Sequence, residues 1–390
     1  MKRDAVIVSA VRTAIARSGG TLAAIPPQYY TGEVIREAVN RANIQPEMID
    51  DVIMGNVLSG GGNIARLSLL QAGLSIEVPG LTVDRQCGSG INAITLAAQA
   101  IEAGDGDVYV AGGVDSYSQA PFLMEKPKQA YGMQPPKFYR PSLSPKEIGD
   151  PPMGITAENL VEKYDISREE QDEFALRSQQ RMAKAMEENR FAEQIVPIAI
   201  PVRKGDPIIF NKDEHPRPQT TLEGLAKLKP AFKEGGTVTA GNSSGLNDAA
   251  SALVIMSREK AEELGLTPLA VIRHRAIAGV DPNIMGIGPV PAVQKVMKKA
   301  GMALDDMDII ELNEAFAAQV IACDKELKMD SEKLNVNGGA IAHGHPLGAT
   351  GAILATKAVY ELKRRGGRYA LLTACIGGGQ GIAAILEREE

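Results

Sequence analysis

The chain has 390 residues, of which 44% are hydrophobic and 23% are charged, and its formal net charge is -6. This composition is typical of a globular protein that buries a large core over two or three domains, and it excludes a disordered chain. Because no strongly basic tract is present, broad affinity for nucleic acid is disfavoured, and an anionic ligand must meet a local basic site.

Targeting and redox signals point to the cytoplasm. No stretch approaches the roughly 18 apolar residues of a membrane helix, and Arg12 and Arg17 interrupt the first apolar run, which we interpret as a strand and not as a signal peptide. Cys87, Cys323 and Cys375 form neither a metal-ligand spacing nor an even-numbered disulfide set. We therefore expect free thiols, no metal or redox cofactor, and no membrane or nucleic-acid partner.

Two distant parts of the chain show the same order of predicted elements. Each has a helix, a short apolar strand, a glycine-rich segment that opens a second helix, and a buried strand: residues 34–41, 52–56, 87–103 and 107–113, then residues 293–299, 309–313, 348–363 and 369–374. An internal duplication is the simplest account. Alternating strands and helices predict two α/β halves with mainly parallel sheets, whose loops can converge on one site.

The stretch between Ser116 and Asn247 differs in character, since it is rich in Pro, Lys and Met and includes a helical pattern over residues 168–189. It is too long to be structureless, so we expect a functional insertion over the site. The predicted domains are an N-terminal half of residues 1–116 completed by residues 247–267, a loop domain of residues 117–246, and a C-terminal half of residues 268–390.

Two thiols and an imidazole lie beside glycine-rich backbone. Cys87 follows a predicted strand and begins a helix, where backbone amides and the helix dipole favour a thiolate and can stabilise an oxyanion. His343 and His345 share one glycine-rich loop, from which we expect the base for Cys87. Cys375 is either a packed strand end or a second thiol facing the first, and we assign Cys323 to core packing.

Asn313 has two interpretations. It ends a predicted strand just before a helix, so it can cap that helix. It can equally hold a water against a developing negative charge.

These segments resemble the thiolase family, which makes or cleaves 3-ketoacyl-coenzyme A, and the resemblance covers essentially the whole chain. The family's motifs are matched, in order, by residues 84–90, 237–248, 313–316, 337–346 and 375–381. The resemblance implies the thiolase fold: two duplicated α/β halves with mixed five-stranded sheets, an inserted loop domain, and assembly into homodimers or homotetramers.

The resemblance also assigns roles. Cys87 matches the nucleophile that carries the acyl group, His345 activates it, and Cys375 moves the proton at the α-carbon. One oxyanion site comprises His345 and a water held by Asn313, and the other comprises the amides of Cys87 and Gly377. Coenzyme A and acyl-CoA are substrates, with contacts expected from Met153, Arg217, Phe232, Ala240, Ser244, Met285 and Phe316.

Two positions depart from the family pattern. His343 stands where an aliphatic residue is usual, and it lies near enough in sequence to perturb the pKa of His345. Pro152 precedes Met153 where short-chain biosynthetic members usually carry histidine, which resembles broader-specificity 3-ketoacyl-CoA thiolases. The expected reaction is therefore acetyl-CoA acetyl transfer, with a 3-ketoacyl-CoA thiolase of fatty acid degradation as the alternative.

Three competing hypotheses explain fewer of the residues named above. A ketoacyl synthase would carry a second histidine or asparagine in place of Cys375. A cysteine hydrolase using Cys87, His345 and Asn313 leaves Cys375 and the coenzyme A motifs idle. A non-catalytic lipid-binding relative would be expected to have lost one of the two thiols.

Overall fold

The computed structural model describes residues 3–59, 62–127 and 135–389. The strands are β1 Ala5–Thr13, β2 Ala16–Arg17, β3 Asp51–Gly55, β4 Gly80–Val83, β5 Val108–Ser116, β6 Ile195–Val196, β7 Ile198–Ile200, β8 Ile208–Phe210, β9 Asn247–Ser257, β10 Ala270–Gly279, β11 Ile309–Leu312, β12 Tyr369–Ile376 and β13 Gln380–Glu387. The helices are α1 Pro27–Ala42, α2 Ile64–Gln71, α3 Ser89–Ala103, α4 Met153–Tyr164, α5 Arg168–Glu187, α6 Leu222–Ala226, α7 Arg258–Glu263, α8 Pro289–Ala300, α9 Ala317–Leu327, α10 Ala340–His343 and α11 Leu347–Arg365. Short 3₁₀ helices span Pro46–Met48, Pro282–Ile287 and Leu304–Asp306.

One mixed sheet runs through both halves in the order β11-β12-β13-β10-β1-β9-β5-β3-β4. The strands β1, β9, β5, β3 and β4 belong to the first half. The strands β10 to β13 belong to the second, where a parallel bridge between Ile310 and Leu334 extends the outer edge. The halves join through an antiparallel pairing of β1 with β10 over two residue pairs. The predicted pair of α/β halves is therefore confirmed.

The prediction of mainly parallel sheets is wrong for the centre of the sheet. The pairs β3–β4, β3–β5 and β11–β12 are parallel, whereas β1–β9, β5–β9, β10–β13 and β12–β13 are antiparallel. Helices cover both faces of these strands, so the antiparallel strands β1, β5, β9, β12 and β13 are buried along almost their whole length. The hydrophobic pattern therefore carries no information about strand direction here.

The helices α3 and α11 lie at the centre of the molecule. Their apolar side chains share one core with residues of both halves of the sheet, including Ile7 and Ile255 from the first half and Leu372 and Leu386 from the second. The helices α1 and α2 cover the outer face of the first half, and α8 and α9 cover that of the second. Among the described residues, no helix is long and apolar enough to cross a membrane.

A buried ion pair ties α11 to β11. Nζ of Lys357 donates to Oε2 of Glu311 at 2.7 Å and to the carbonyl oxygen of Gly338 at 2.8 Å. Both charged side chains are almost fully buried. Their charges therefore depend on each other, because an unpaired buried charge is costly.

Lys357→Met should lower the free energy of unfolding by about 3–5 kcal/mol, because it leaves the Glu311 carboxylate buried without its partner. Lys363→Met, on the same helix, is the matched control, since Lys363 is 63% exposed and its ion pair with Glu193 spans 3.6 Å. We expect that change to cost less than about 1 kcal/mol. Chemical denaturation of the two variants would compare them, and equal midpoints would show that the buried pair contributes nothing.

Candidate active site

Cys87 lies in a tight turn between β4 and α3. Gln86 has a φ of +44°, a conformation that is uncommon for a residue other than glycine. The side chain of Asp84 accepts the Gln86 N–H at 2.7 Å, and the Ser89 hydroxyl donates to the Gln86 carbonyl at 2.6 Å. These bonds hold the strained residue and fix Cys87 directly before the helix.

Glycines bring the beginning of α3 close to the beginning of α11. A Cβ on Gly90 would lie 2.6 Å from the backbone nitrogen of Ala352 and 3.0 Å from the carbonyl oxygen of Gly348. Real Cβ atoms do not approach backbone so closely, so the helices cross here only because position 90 has no side chain. Cys87 precedes one helix and His345 the other, so the crossing places them at one site.

The Cys87 thiol is not a ready-made thiolate. Burial raises its pKa to about 11, while the backbone N–H of Gly377 and that of Cys87 itself act in the opposite direction. The expectation that the helix terminus favours a thiolate is therefore wrong, because desolvation outweighs the amides. Cys87 needs a base, and the two amides directed at its sulfur lie where an oxyanion hole is required.

The imidazole of His345 is held at both ring nitrogens. Nδ1 lies 2.7 Å from Oγ1 of Thr350, and Nε2 lies 3.3 Å from Nδ2 of Asn313. The Asn313 amide nitrogen can only donate, so Nε2 of His345 accepts its hydrogen bond and is the unprotonated ring nitrogen. We assign the ring proton to Nδ1, which donates to Thr350. His345 is thus presented as a base.

Asn313 does not cap the following helix. The residue at the N-cap of α9 is Phe316, and no side chain caps that helix. The capping interpretation is therefore wrong. Oδ1 of Asn313 is buried and has no protein partner, which fits the alternative of holding a water.

His345 is neutral at physiological pH because burial lowers its pKa to about 4. The expected perturbation by His343 is absent, since burial is the cause of this shift. The pKa of His343 is itself far below its ordinary value, first through burial and then through the charges of Lys357 and Arg12. The charges of Lys357 and Arg12 thus add to burial in keeping His343 neutral.

The lowered pKa of His345 should cost stability as the pH falls from about 6.5 towards 4, the window set by the ordinary histidine pKa and the folded value of His345. The unfolded state binds a proton in this window and the folded state does not, so the contribution of His345 to stability rises by about 1.4 kcal/mol per pH unit there. Buried carboxyl groups such as Asp115, whose pKa is raised to about 6, act in the opposite direction. The test is therefore the difference in denaturant midpoint between the wild type and His345→Gln from pH 4 to 7.5, and a difference that does not change with pH would contradict the lowered pKa.

Cys375 is the second-to-last residue of β12, two positions before Gly377, whose N–H points at the Cys87 sulfur. It is fully buried in an apolar cluster with Ala157, Val238, Met285 and Phe316. Burial raises its pKa well above the ordinary value, and the charge of Cys87 acts in the same direction. The interpretation as a second thiol facing the first is the one that this geometry supports.

The apolar residues expected along the acyl-CoA tunnel surround Cys375. Met285 and Phe316 share its cluster, and Met153 packs against that cluster. Phe232 is 42% exposed and meets the Phe316 ring edge to face, with 5.9 Å between centroids. The four side chains thus form an apolar wall that runs from the buried thiol to the surface.

The polar contacts expected for coenzyme A lie further out. Arg217 and Ala240 line one pocket of about 220 Å³, together with His215. Ser244 is half-buried, and its N–H donates to the Ala315 carbonyl at 2.9 Å, next to Phe316. Ser244 therefore lies beside the apolar group, and Arg217 and Ala240 share one pocket.

Sequence reasoning missed two neighbours of the site. Thr350 lies five residues after His345, in the first turn of α11, and its hydroxyl contacts the imidazole. Its closeness to His345 in sequence is the signal that could have found it. Leu143 comes from the loop domain, and its side chain would lie 3.0 Å from a Cβ on Gly377. No local pattern marks Leu143, because its place depends on how residues 140–150 fold around Asp150.

A base, two thiols and paired backbone amides between duplicated α/β halves define an acyltransferase that works through cysteine. Family models for "Thiolase, N-terminal domain" and "Thiolase, C-terminal domain" match residues 5–259 and 266–388. The acetyl-CoA acetyltransferase of Syntrophomonas wolfei is 48% identical over 99% of this chain and 100% of its own. The 3-oxoadipyl-CoA/3-oxo-5,6-dehydrosuberyl-CoA thiolase of Escherichia coli is 49% identical over the same shares.

A solved structure agrees with these relatives. The crystal structure of the Bacillus anthracis acetyl-CoA acetyltransferase superposes with a TM-score of 0.95 at 45% identity, covering 100% of this chain and 99% of that one. The chain belongs to the thiolase family.

Proposed function

We propose that the protein is an acetyl-CoA C-acetyltransferase, which condenses two acetyl-CoA to acetoacetyl-CoA and catalyses the reverse thiolysis. The observation that supports the proposal is that the segments carrying Cys87, Cys375 and His345 meet. The N–H of Gly377 points at the Cys87 sulfur. A Cβ on Gly88 would meet Ile376, and Gly90 packs against Gly348. A hydrolase needs one thiol and one base. A reaction at an α-carbon also needs a group that moves a proton there, and the second thiol, Cys375, can be that group.

In thiolysis, Nε2 of His345 takes the Cys87 proton and the sulfur attacks the 3-keto carbon of the substrate. The oxyanion that forms is stabilised by the amides of Cys87 and Gly377. Loss of one such donor typically raises the activation free energy by about 3–4 kcal/mol. The base is needed because the pKa of Cys87 is about 11.

The carbon–carbon bond then breaks and releases the enolate of acetyl-CoA, while the acyl group stays on Cys87. Cys375 gives its proton to the enolate carbon, and its raised pKa keeps it protonated until then. His345 and a water held by Asn313 stabilise the enolate oxygen. Free coenzyme A then gives its thiol proton to the Cys375 thiolate and attacks the thioester. Cys87 leaves as a thiolate and takes its proton back from His345, which releases a second acyl-CoA and restores the enzyme. Condensation is the same sequence reversed.

Coenzyme A binds, in this proposal, with its nucleotide end at Arg217 and its pantetheine arm along Ser244 and Ala240. Met153, Phe232, Met285 and Phe316 line the arm's path to Cys375. The apolar wall keeps water from the acyl-cysteine, which protects it from hydrolysis.

The alternative, a broader 3-ketoacyl-CoA thiolase of fatty acid metabolism, is supported by two observations. Met153 opens α4 directly after Pro152, without the histidine usual in short-chain members. The 49% identical relative from Escherichia coli is named for longer, dicarboxylic 3-oxoacyl substrates.

The test is the rate of thiolysis across 3-ketoacyl-CoA substrates of increasing length. A preference for acetoacetyl-CoA supports the acetyltransferase, and a rate that rises with chain length supports the alternative. Absence of thiolysis on every substrate would overturn both.

We further propose a cytoplasmic homotetramer. The three cysteines are free, as in a reducing compartment. The strand β4 has a neighbour on one side only, and Leu81 on it is 44% exposed, so a second copy can pair there. Phe122 and Phe138, 88% and 69% exposed, form a second apolar surface.

Phe138→Asp should therefore reduce the assembly from tetramer to dimer, because it places a charge in the second surface while leaving β4 intact. Light scattering coupled to size-exclusion chromatography would measure the mass against the 41.4 kDa chain. Lys137→Gln, at a neighbouring exposed position, is the matched control because it lowers the net charge by the same one unit. A wild-type monomer would contradict both surfaces.

A further inference from the structure

The peptide that joins Gly344 to His345 is hydrogen-bonded on both sides. The N–H of His345 donates to Oδ1 of Asn247 at 3.1 Å. The carbonyl oxygen of Gly344 lies 2.9 Å from Nδ1 of His343. A carbonyl oxygen only accepts, so the proton of His343 is on Nδ1. One side chain thus holds each end of the same peptide plane.

Both side chains are fixed in their places. Asn247 is fully buried and His343 is 2% exposed. Nδ2 of Asn247 donates to the carbonyl of Ala16 at 2.9 Å, which orients its amide. Gly344 has a φ of +101°, and a Cβ there would lie 2.3 Å from the Asn247 side chain. The peptide is therefore pressed against Asn247 and cannot rotate freely.

The other ring nitrogen of His343 indicates what this residue is for. Nε2 is buried and has no hydrogen-bond partner among the described residues of the chain. Burying such an unpaired atom is unfavourable, and an aliphatic side chain at this position would avoid it. The compensating contact in the structure is the Nδ1–H bond to the Gly344 carbonyl.

We infer that His343 and Asn247 are positioning residues for His345, which together clamp the Gly344–His345 peptide so that the imidazole is aimed at Cys87. The inference rests on the proposed reaction, in which His345 activates Cys87. Thr350 and Asn313 hold the ring itself, whereas the clamp sets the backbone from which the ring projects. A small misplacement of a catalytic group slows a reaction strongly even when substrate still binds.

The test compares His343→Leu, which removes the N–H donor, with His343→Gln, which offers an amide N–H. His343→Leu should lower kcat for acetoacetyl-CoA thiolysis about tenfold, with the KM for coenzyme A changed less than about twofold. The rate at which iodoacetamide alkylates Cys87 at neutral pH should fall by a similar factor. His343→Gln should recover most of both rates. His274→Gln, outside the site, is the control and should match the wild type.

Asn247→Ser extends the test to the other side of the peptide and serves if His343→Leu does not fold. Because both residues hold one peptide, the effects on kcat of Asn247→Ser and His343→Leu should be less than additive when combined. Unchanged kcat and alkylation in folded His343→Leu would overturn the inference. So would a loss that His343→Gln does not recover.

The alkylation rate separates this inference from the proposed function, since it needs no substrate. Slower alkylation in the His343 variant, in a protein that cleaves no 3-ketoacyl-CoA, would support the clamp and overturn the reaction. If the wild type cleaves acetoacetyl-CoA and the His343 variant keeps the wild-type rates of thiolysis and alkylation, the reaction is supported and the clamp is overturned.

Discussion

Cys87→Ser should lower the rate of acetoacetyl-CoA thiolysis by about 10⁴-fold or more, because the reaction then has no sulfur to carry the acyl group. Serine keeps the size and the hydrogen bonding of the turn, so the fold should be retained. Thiolysis is followed by the loss of acetoacetyl-CoA absorbance, and the acyl-enzyme by the intact mass of the protein after incubation with acetyl-CoA. Neither signal should appear in the variant.

Cys323→Ser is the matched control. Cys323 is buried, whereas Cys87 is half-buried. Cys323 lies on α9, where its thiol donates to the Gly286 carbonyl at 3.2 Å. A serine hydroxyl can make the same bond, so activity should stay near that of the wild type. Equal losses in the two variants would indicate a general effect of replacing buried thiols and would contradict the assignment of Cys87.

Cys87, His345 and Cys375 could be proposed from sequence because each stands in a glycine-rich segment. Glycine is required where backbone approaches closely, as where Gly90 meets α11, and these positions mark the loops that meet. The duplicated order of elements predicts two halves, because each strand and helix has its own local pattern of apolar residues. Local pattern was thus enough for the loops and for the fold class.

The pKa values and the side-chain contacts of the site depend on tertiary packing, which local sequence patterns do not reveal. The helix terminus suggested a thiolate at Cys87, but the depth of its burial raises the pKa to about 11. The proximity of His343 to His345 in sequence suggests an effect on the pKa of His345, but burial causes that shift, and the His343 ring contacts the Gly344 carbonyl. Asn313 looked like a helix cap, yet its amide meets an imidazole 32 positions along the chain.

Cys375→Ala should separate the two halves of the reaction. Acetylation of Cys87 by acetyl-CoA needs His345 and the oxyanion amides, but it moves no proton at an α-carbon, so the variant should still form the acyl-enzyme. Thiolysis of acetoacetyl-CoA should fall about 10³-fold, within the range by which a positioned general acid or base accelerates a reaction. Intact mass and absorbance measure the two steps on one sample.

The raised pKa of Cys375 gives the physical reason for this split. A thiol that stays protonated in an apolar cluster can give its proton to an enolate, and alanine fills much of the same space without a proton. If the variant lost acetylation as well while remaining folded, Cys375 would act on the nucleophile and not on the α-carbon. If thiolysis persisted, another group or a water would supply the proton, and the second thiol would revert to a packed strand end.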